Sequence, residues 1–160
     1  MPIVGAAPST PGAFVACDVT RAFLDTNVLL DIELRRPRRY AAIREASEDE
    51  AIVALVSLGV LEELRDVLER DPELVDLRAA TGLSVDDVVR SVLEYTKLSG
   101  GFDFVRRVLP RDPRDEHVLA AALAGEADYL VTSNIVDFED APVTLRTVTP
   151  DEFLDVLTAL

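Results

Sequence analysis

The segment RAFLDTNVLLDIEL, residues 21–34, decides how the chain is read. Arg21-Ala22-Phe23-Leu24 opens a short apolar run of the kind that forms a buried strand, and residues 27–34 resume apolar positions at helical spacing. Between the two runs stands the polar triplet Asp25-Thr26-Asn27. An aspartate there either caps the helix that follows or holds something at the end of the strand.

Outward from this segment, strand and helix patterns alternate. RRPRRYAAIREASEDE, residues 35–50, reads as a surface helix from Arg38, and AIVALVS, residues 51–57, as a second buried strand. LGVLEELRDVLER, residues 58–70, is strongly amphipathic and is stopped by Asp71-Pro72. Residues 73–80 and 84–98 read as two further helices separated by Gly82, with Ser84 and Asp87 forming a capping-box-like start. After the loop at 99–101, FDFVRRVLP at 102–110 is the expected third strand. Residues 112–127 read as a helix with Asp112 as N-cap and Pro113 in its first turn. DYLVTS at 128–133 is a fourth strand, VTLRTVTP at 143–150 a weaker fifth, and DEFLDVLTAL at 151–160 the closing helix. Near-continuously apolar strands alternating with helices imply a three-layer α/β/α fold around a mostly parallel central sheet.

Length fits one domain, expected over 21–160, with residues 1–20 read as a poorly ordered leader outside it. Thirty acids against sixteen bases give a net charge of −14, which disfavours nonspecific adhesion to nucleic acid or anionic membranes. Cys17 and His117 are the only residues of their types, so an intramolecular disulfide is excluded and a structural zinc site is disfavoured. No apolar run reaches the roughly 18 residues of a membrane span. The expected setting is the cytoplasm.

In a parallel sheet, ligands bind beyond the carboxyl ends of the strands. Acids recur there: Asp25 after the first strand, Glu62 and Glu63 after the second, Asp112, Asp115 and Glu116 after the third, and Asp137 after the fourth, where Thr132, Ser133 and Asn134 precede it. Carboxylates gathered at one edge raise one another's pKa unless a cation neutralises them. The hard divalent ions Mg²⁺ and Mn²⁺ suit such oxygen donors, and the combination serves phosphodiester hydrolysis. Each acid also has a plainer role: Asp25 and Asp112 as caps, Glu62 and Glu63 as solvent-facing helix charges, Asp137 as a loop acid. His117 reads as packing or surface. Arg35, Arg36, Arg38 and Arg39 form the natural resting place for a phosphate backbone in so acidic a chain, or else a solvated basic face.

With these residues collected, the chain resembles the PIN domain family of metal-dependent ribonucleases and VapC-type toxins. FLDTNVLLD is similar to the family's first motif, which implies Asp25 as a metal ligand and Asn27 as its support. VSLGVLEELRDVL is similar to the second block and selects Glu63 over Glu62. DPRDEHVLAAALAGEADYLVTSN is similar to the third and selects Asp115, with Asp112 as adjacent cap. TSNIVDF departs from the commoner Thr-x-Asp and fits a variant in which Asp137 is the fourth acid, with Thr132 and Asn134 supporting. VTPDEFL resembles a closing signature of several subgroups. The resemblance implies RNA cleavage with Mg²⁺ or Mn²⁺, a small antitoxin partner and a homodimer. Two alternatives stand beside it: a catalytically silent PIN-like nucleic-acid-binding module, and a phosphatase of the haloacid dehalogenase type. The second wants Asp-x-Asp, where this chain has Asn27.

Overall fold

The computed structural model describes residues 18–99 and 116–160. The expected strand at 102–110, Asp112, Asp115 and most of the expected leader lie outside the described residues.

β1 (Thr20–Leu24) is the central strand of a five-stranded sheet, and its Ala22, Phe23 and Leu24 are wholly buried. The chain then makes α1 (Thr26–Leu30), which widens into a π turn (Asp31–Arg35) and ends where Pro37 forbids the preceding residue a helical conformation. Pro37 itself opens α2 (Pro37–Glu48), followed by β2 (Ile52–Val56) and α3 (Leu58–Arg70). α4 (Pro72–Thr81) starts on Asp71, whose carboxylate accepts from the Glu73 and Leu74 amides, and stops at Gly82 with φ 71°. α5 (Val85–Tyr95) carries the full capping box between Ser84 and Asp87 that the sequence leads one to expect.

One expectation needs correcting. The helix read over 84–98 ends at Tyr95, and Thr96–Leu98 forms β3. Thr96 turns the chain by donating its hydroxyl to the Val92 carbonyl, and its backbone opens to an extended conformation that pairs Thr96 with Ala54. A three-residue strand spliced to a helix end has no periodicity of its own to reveal it.

After α6 (Glu116–Ala124) come β4 (Tyr129–Val131), a 3₁₀ turn (Ile135–Phe138), β5 (Arg146–Val148) and α7 (Pro150–Thr158). α7 has its own capping box between Thr149 and Glu152. The sheet is parallel throughout in the order β3-β2-β1-β4-β5, with helices on both faces, as the alternating pattern predicts. α2 is tied to α7 by Arg39, which grips Asp151 through two bonds of 2.9 and 3.0 Å, with the Tyr40 hydroxyl on the same carboxylate. Among the described residues no helix is long and apolar enough to cross a membrane.

Candidate active site

Strand order fixes where a ligand can sit. From β1 the chain moves outward one way to β2 and β3, then returns to the other side for β4 and β5. The switch point is therefore between β1 and β4, and the crevice outside their carboxyl ends is where α/β sheets bind ligands. Register then levels the strand ends: Leu24 pairs with Val131, Phe23 with Leu55, Val56 with Leu98, and Val131 with Val148. The next residue on each strand is polar. In spatial order the row is Ser99, Ser57, Asp25, Thr132 and Thr149.

Asp25 occupies the middle of this row and is only 9% exposed. Its Oδ1 accepts from the Thr26 amide at 2.7 Å, and its Oδ2 accepts from the Thr132 hydroxyl at 2.8 Å across the β1–β4 seam. The cap reading of Asp25 holds, and it uses one oxygen of the two. One oxygen receives the first amide of α1, and the other is held by the neighbouring strand. Thr132, fully buried, receives the Asn134 amide on its own oxygen at 3.1 Å, so a chain of donors runs from Asn134 through Thr132 into Asp25.

Burial raises the Asp25 pKa above its ordinary value; the Thr132 hydroxyl and Thr26 amide pull it back, the charge of Glu63 pushes it up, and His117 pulls it down. Glu63 projects from the second turn of α3, a helix positioned by Ser57, whose hydroxyl accepts from the Val60 amide. The two acids are bridged by Thr26. Its amide serves Asp25, and its hydroxyl donates to Glu63 Oε2 at 2.9 Å.

The PIN domain profile matches residues 21–136, most of the chain. The chain belongs to the PIN domain family. A solved structure of similar fold is that of VapBC2 from Rickettsia felis bound to a DNA fragment from their promoter, with TM-score 0.57 and 18% identity over 81% of this chain and 98% of that chain. No curated protein matches the sequence. The family match leaves no place for the haloacid dehalogenase alternative.

Of the other expected site residues of this PIN domain, Asp112 and Asp115 lie outside the described residues. Asp137 lies half-buried in the 3₁₀ turn, which the buried Phe138 pins down, and its amide donates to the Asn134 carbonyl. Among the described residues no three acidic, histidine or cysteine side chains gather closely enough to hold a metal ion, and Asp115 lies outside those residues. Asn27 and Asn134 are exposed, and neither side chain bonds to the acids; Asn134 acts through its backbone. Arg39 is engaged with Asp151, and Arg35 stands 3.9 Å from Asp31. Arg36 and Arg38 point to solvent. Arg35 ends, and Arg36, Arg38 and Arg39 follow, the run of ten helical residues after Asp25.

Sequence reasoning missed Thr26, which stands inside the quoted triplet but looks like an ordinary first helical residue. It set His117 aside as packing or surface, and the ring does pack, against Gly59 of α3.

A divalent cation fits what is present. Both carboxylates are oxygen donors of the hard type, each keeps lone pairs beyond the hydrogen bonds just described, and the ionised form that burial disfavours at Asp25 is the form a cation favours. Mg²⁺ commonly needs only one or two protein carboxylates, the remainder being water and substrate phosphate.

Proposed function

We propose that this PIN-family chain is a Mg²⁺- or Mn²⁺-dependent endoribonuclease and the toxin of a toxin–antitoxin pair, working in the cytoplasm. The observation that carries the reading is the pair of acids at the switch point, one buried and one exposed, joined by Thr26. Asp25 and Glu63 would hold the cation, with Asp115 and Asp137 as the further acids that the family motifs indicate. When bound, the cation supplies neutralisation of phosphate charge and activation of water. Asp25 keeps its ionised oxygens aimed by Thr26 and Thr132. Glu63 is oriented by the Thr26 hydroxyl, and the exposed Arg36 and Arg38 offer a basic landing for the phosphate backbone.

A small antitoxin and a second copy of the chain are the proposed protein partners. The former has support in the fold likeness to a chain of a VapBC complex. RNA cleavage by the full chain should vanish in EDTA and return with Mn²⁺. Cleavage that persists in chelator rejects the assignment. Absence of calorimetric Mn²⁺ binding at millimolar concentration favours the silent nucleic-acid-binding module instead.

Thr26 provides a sharper test. Thr26→Val preserves shape but removes the bond that orients Glu63, and Mn²⁺ affinity should fall about tenfold with the fold retained. An unchanged affinity would show that the bridge does not shape the site.

A further inference from the structure

α6 meets α3 at an unusual point. The His117 ring, in the first turn of α6, lies against Gly59 in the first turn of α3. A Cβ at position 59 would stand 2.8 Å from Nδ1, 3.4 Å from Cε1 and 3.5 Å from Cγ. Three ring atoms make the contact, and a ring cannot flex away as the tip of a long side chain would. Glycine within a helix is unfavourable relative to alanine. Gly59 lacks the left-handed φ that excuses Gly82. Space for the ring is the reason the structure supplies for a glycine there. Nδ1 is buried without a hydrogen-bond partner, so the ring is not seated by a polar bond of that nitrogen. Gly59 stands one turn ahead of Glu63 on the same helix.

We propose that His117, seated in the notch at Gly59, is a positioning residue that sets how closely α6 approaches the helix carrying Glu63, and so tunes the site for its cation. This rests on the metal-nuclease reading above. Gly59 and Glu63 belong to the same helix, so the depth at which α6 seats against Gly59 sets where Glu63 is carried.

The test is a Mn²⁺ calorimetric titration of the full chain, with melting temperatures, for wild type, Gly59→Ala, His117→Ala and the double variant. Gly59→Ala should weaken Mn²⁺ binding about tenfold, a coupling typical of side chains in contact. His117→Ala should weaken it about threefold at temperatures where the protein is fully folded. In the double variant, with the notch emptied, alanine at 59 should bring no further loss and should raise the melting temperature by roughly 2–4 °C over His117→Ala. Should Gly59→Ala alone fail to fold, His117→Ala and the double variant still decide. Affinity in His117→Ala equal to wild type, or an equal penalty for alanine at 59 with and without His117, overturns the proposal. Wild type that binds no Mn²⁺ at millimolar concentration rejects the metal reading and the positioning role with it, even where the melting temperatures couple residues 59 and 117.

Discussion

Asp25→Asn should abolish metal-dependent cleavage while leaving the protein at least as stable as wild type at neutral pH. A catalytic cation contributes several kcal/mol to the transition state, so losing its buried charged ligand costs at least about 10³-fold in rate. Stability should move the other way. The amide can place its oxygen on the Thr26 N–H and its nitrogen on Thr132 Oγ1, because a hydroxyl also accepts. What disappears is the cost of keeping a buried carboxylate ionised beside Glu63.

The pH dependence gives this a definite sign. Because the folded pKa of Asp25 is raised above 3.8, the native metal-free state holds more protons than the unfolded chain between that value and the folded pKa. The contribution of this group therefore favours folding at low pH and declines as pH rises through that window, then stays constant above it. The stability of Asp25→Asn relative to wild type should accordingly grow with pH across the window, as read by chemical denaturation in chelator. A variant that loses stability as pH rises, or keeps cleaving RNA, would place Asp25 among ordinary helix caps.

Much of the molecule was legible in residues close together in the chain. The capping box at Ser84, the stop at Asp71-Pro72 and the glycine break at 82 depend on side chains within a few positions of the backbone groups they serve. The strand ends were legible because a parallel sheet turns each local boundary into one shared edge. What stayed hidden depends on register and on distant partners. β3 exists only because Ala54 and its neighbours offer an edge to Thr96–Leu98. Arg39 looked like a free phosphate ligand, yet its partner Asp151 lies 112 positions away. Thr26 became visible as a bridge only once α3 brought Glu63 over α1, and Gly59 explained itself only beside a ring from another helix. Asp25 itself was ambiguous in sequence for a physical reason: a strand-end aspartate before a helix can cap and ligate with different oxygens.

That division of labour makes Thr132 the second residue whose loss should matter most. Thr132→Val keeps the shape of a fully buried side chain and removes a hydroxyl with two duties: donating to Asp25 Oδ2 and receiving the Asn134 amide. Stranding those groups should cost about 1–3 kcal/mol, and for a domain of this size each kcal/mol lowers the melting temperature by roughly 2–4 °C. The hydroxyl is also the foremost influence holding the Asp25 pKa down against burial. Without it the pKa rises further, so metal competes with a more tightly held proton. Mn²⁺ affinity should fall about 10–100-fold, and the pH at which binding reaches half its maximum should move upward. Thr132→Ser, which retains the hydroxyl, should lose a little stability but keep the affinity and its pH profile. If valine and serine bind Mn²⁺ alike, the hydroxyl serves packing alone. If only valine fails, the fourth block acts here through a threonine hydroxyl and a backbone amide, which is why an asparagine can stand at 134, where Thr-x-Asp members carry an acid, without breaking the support of Asp25.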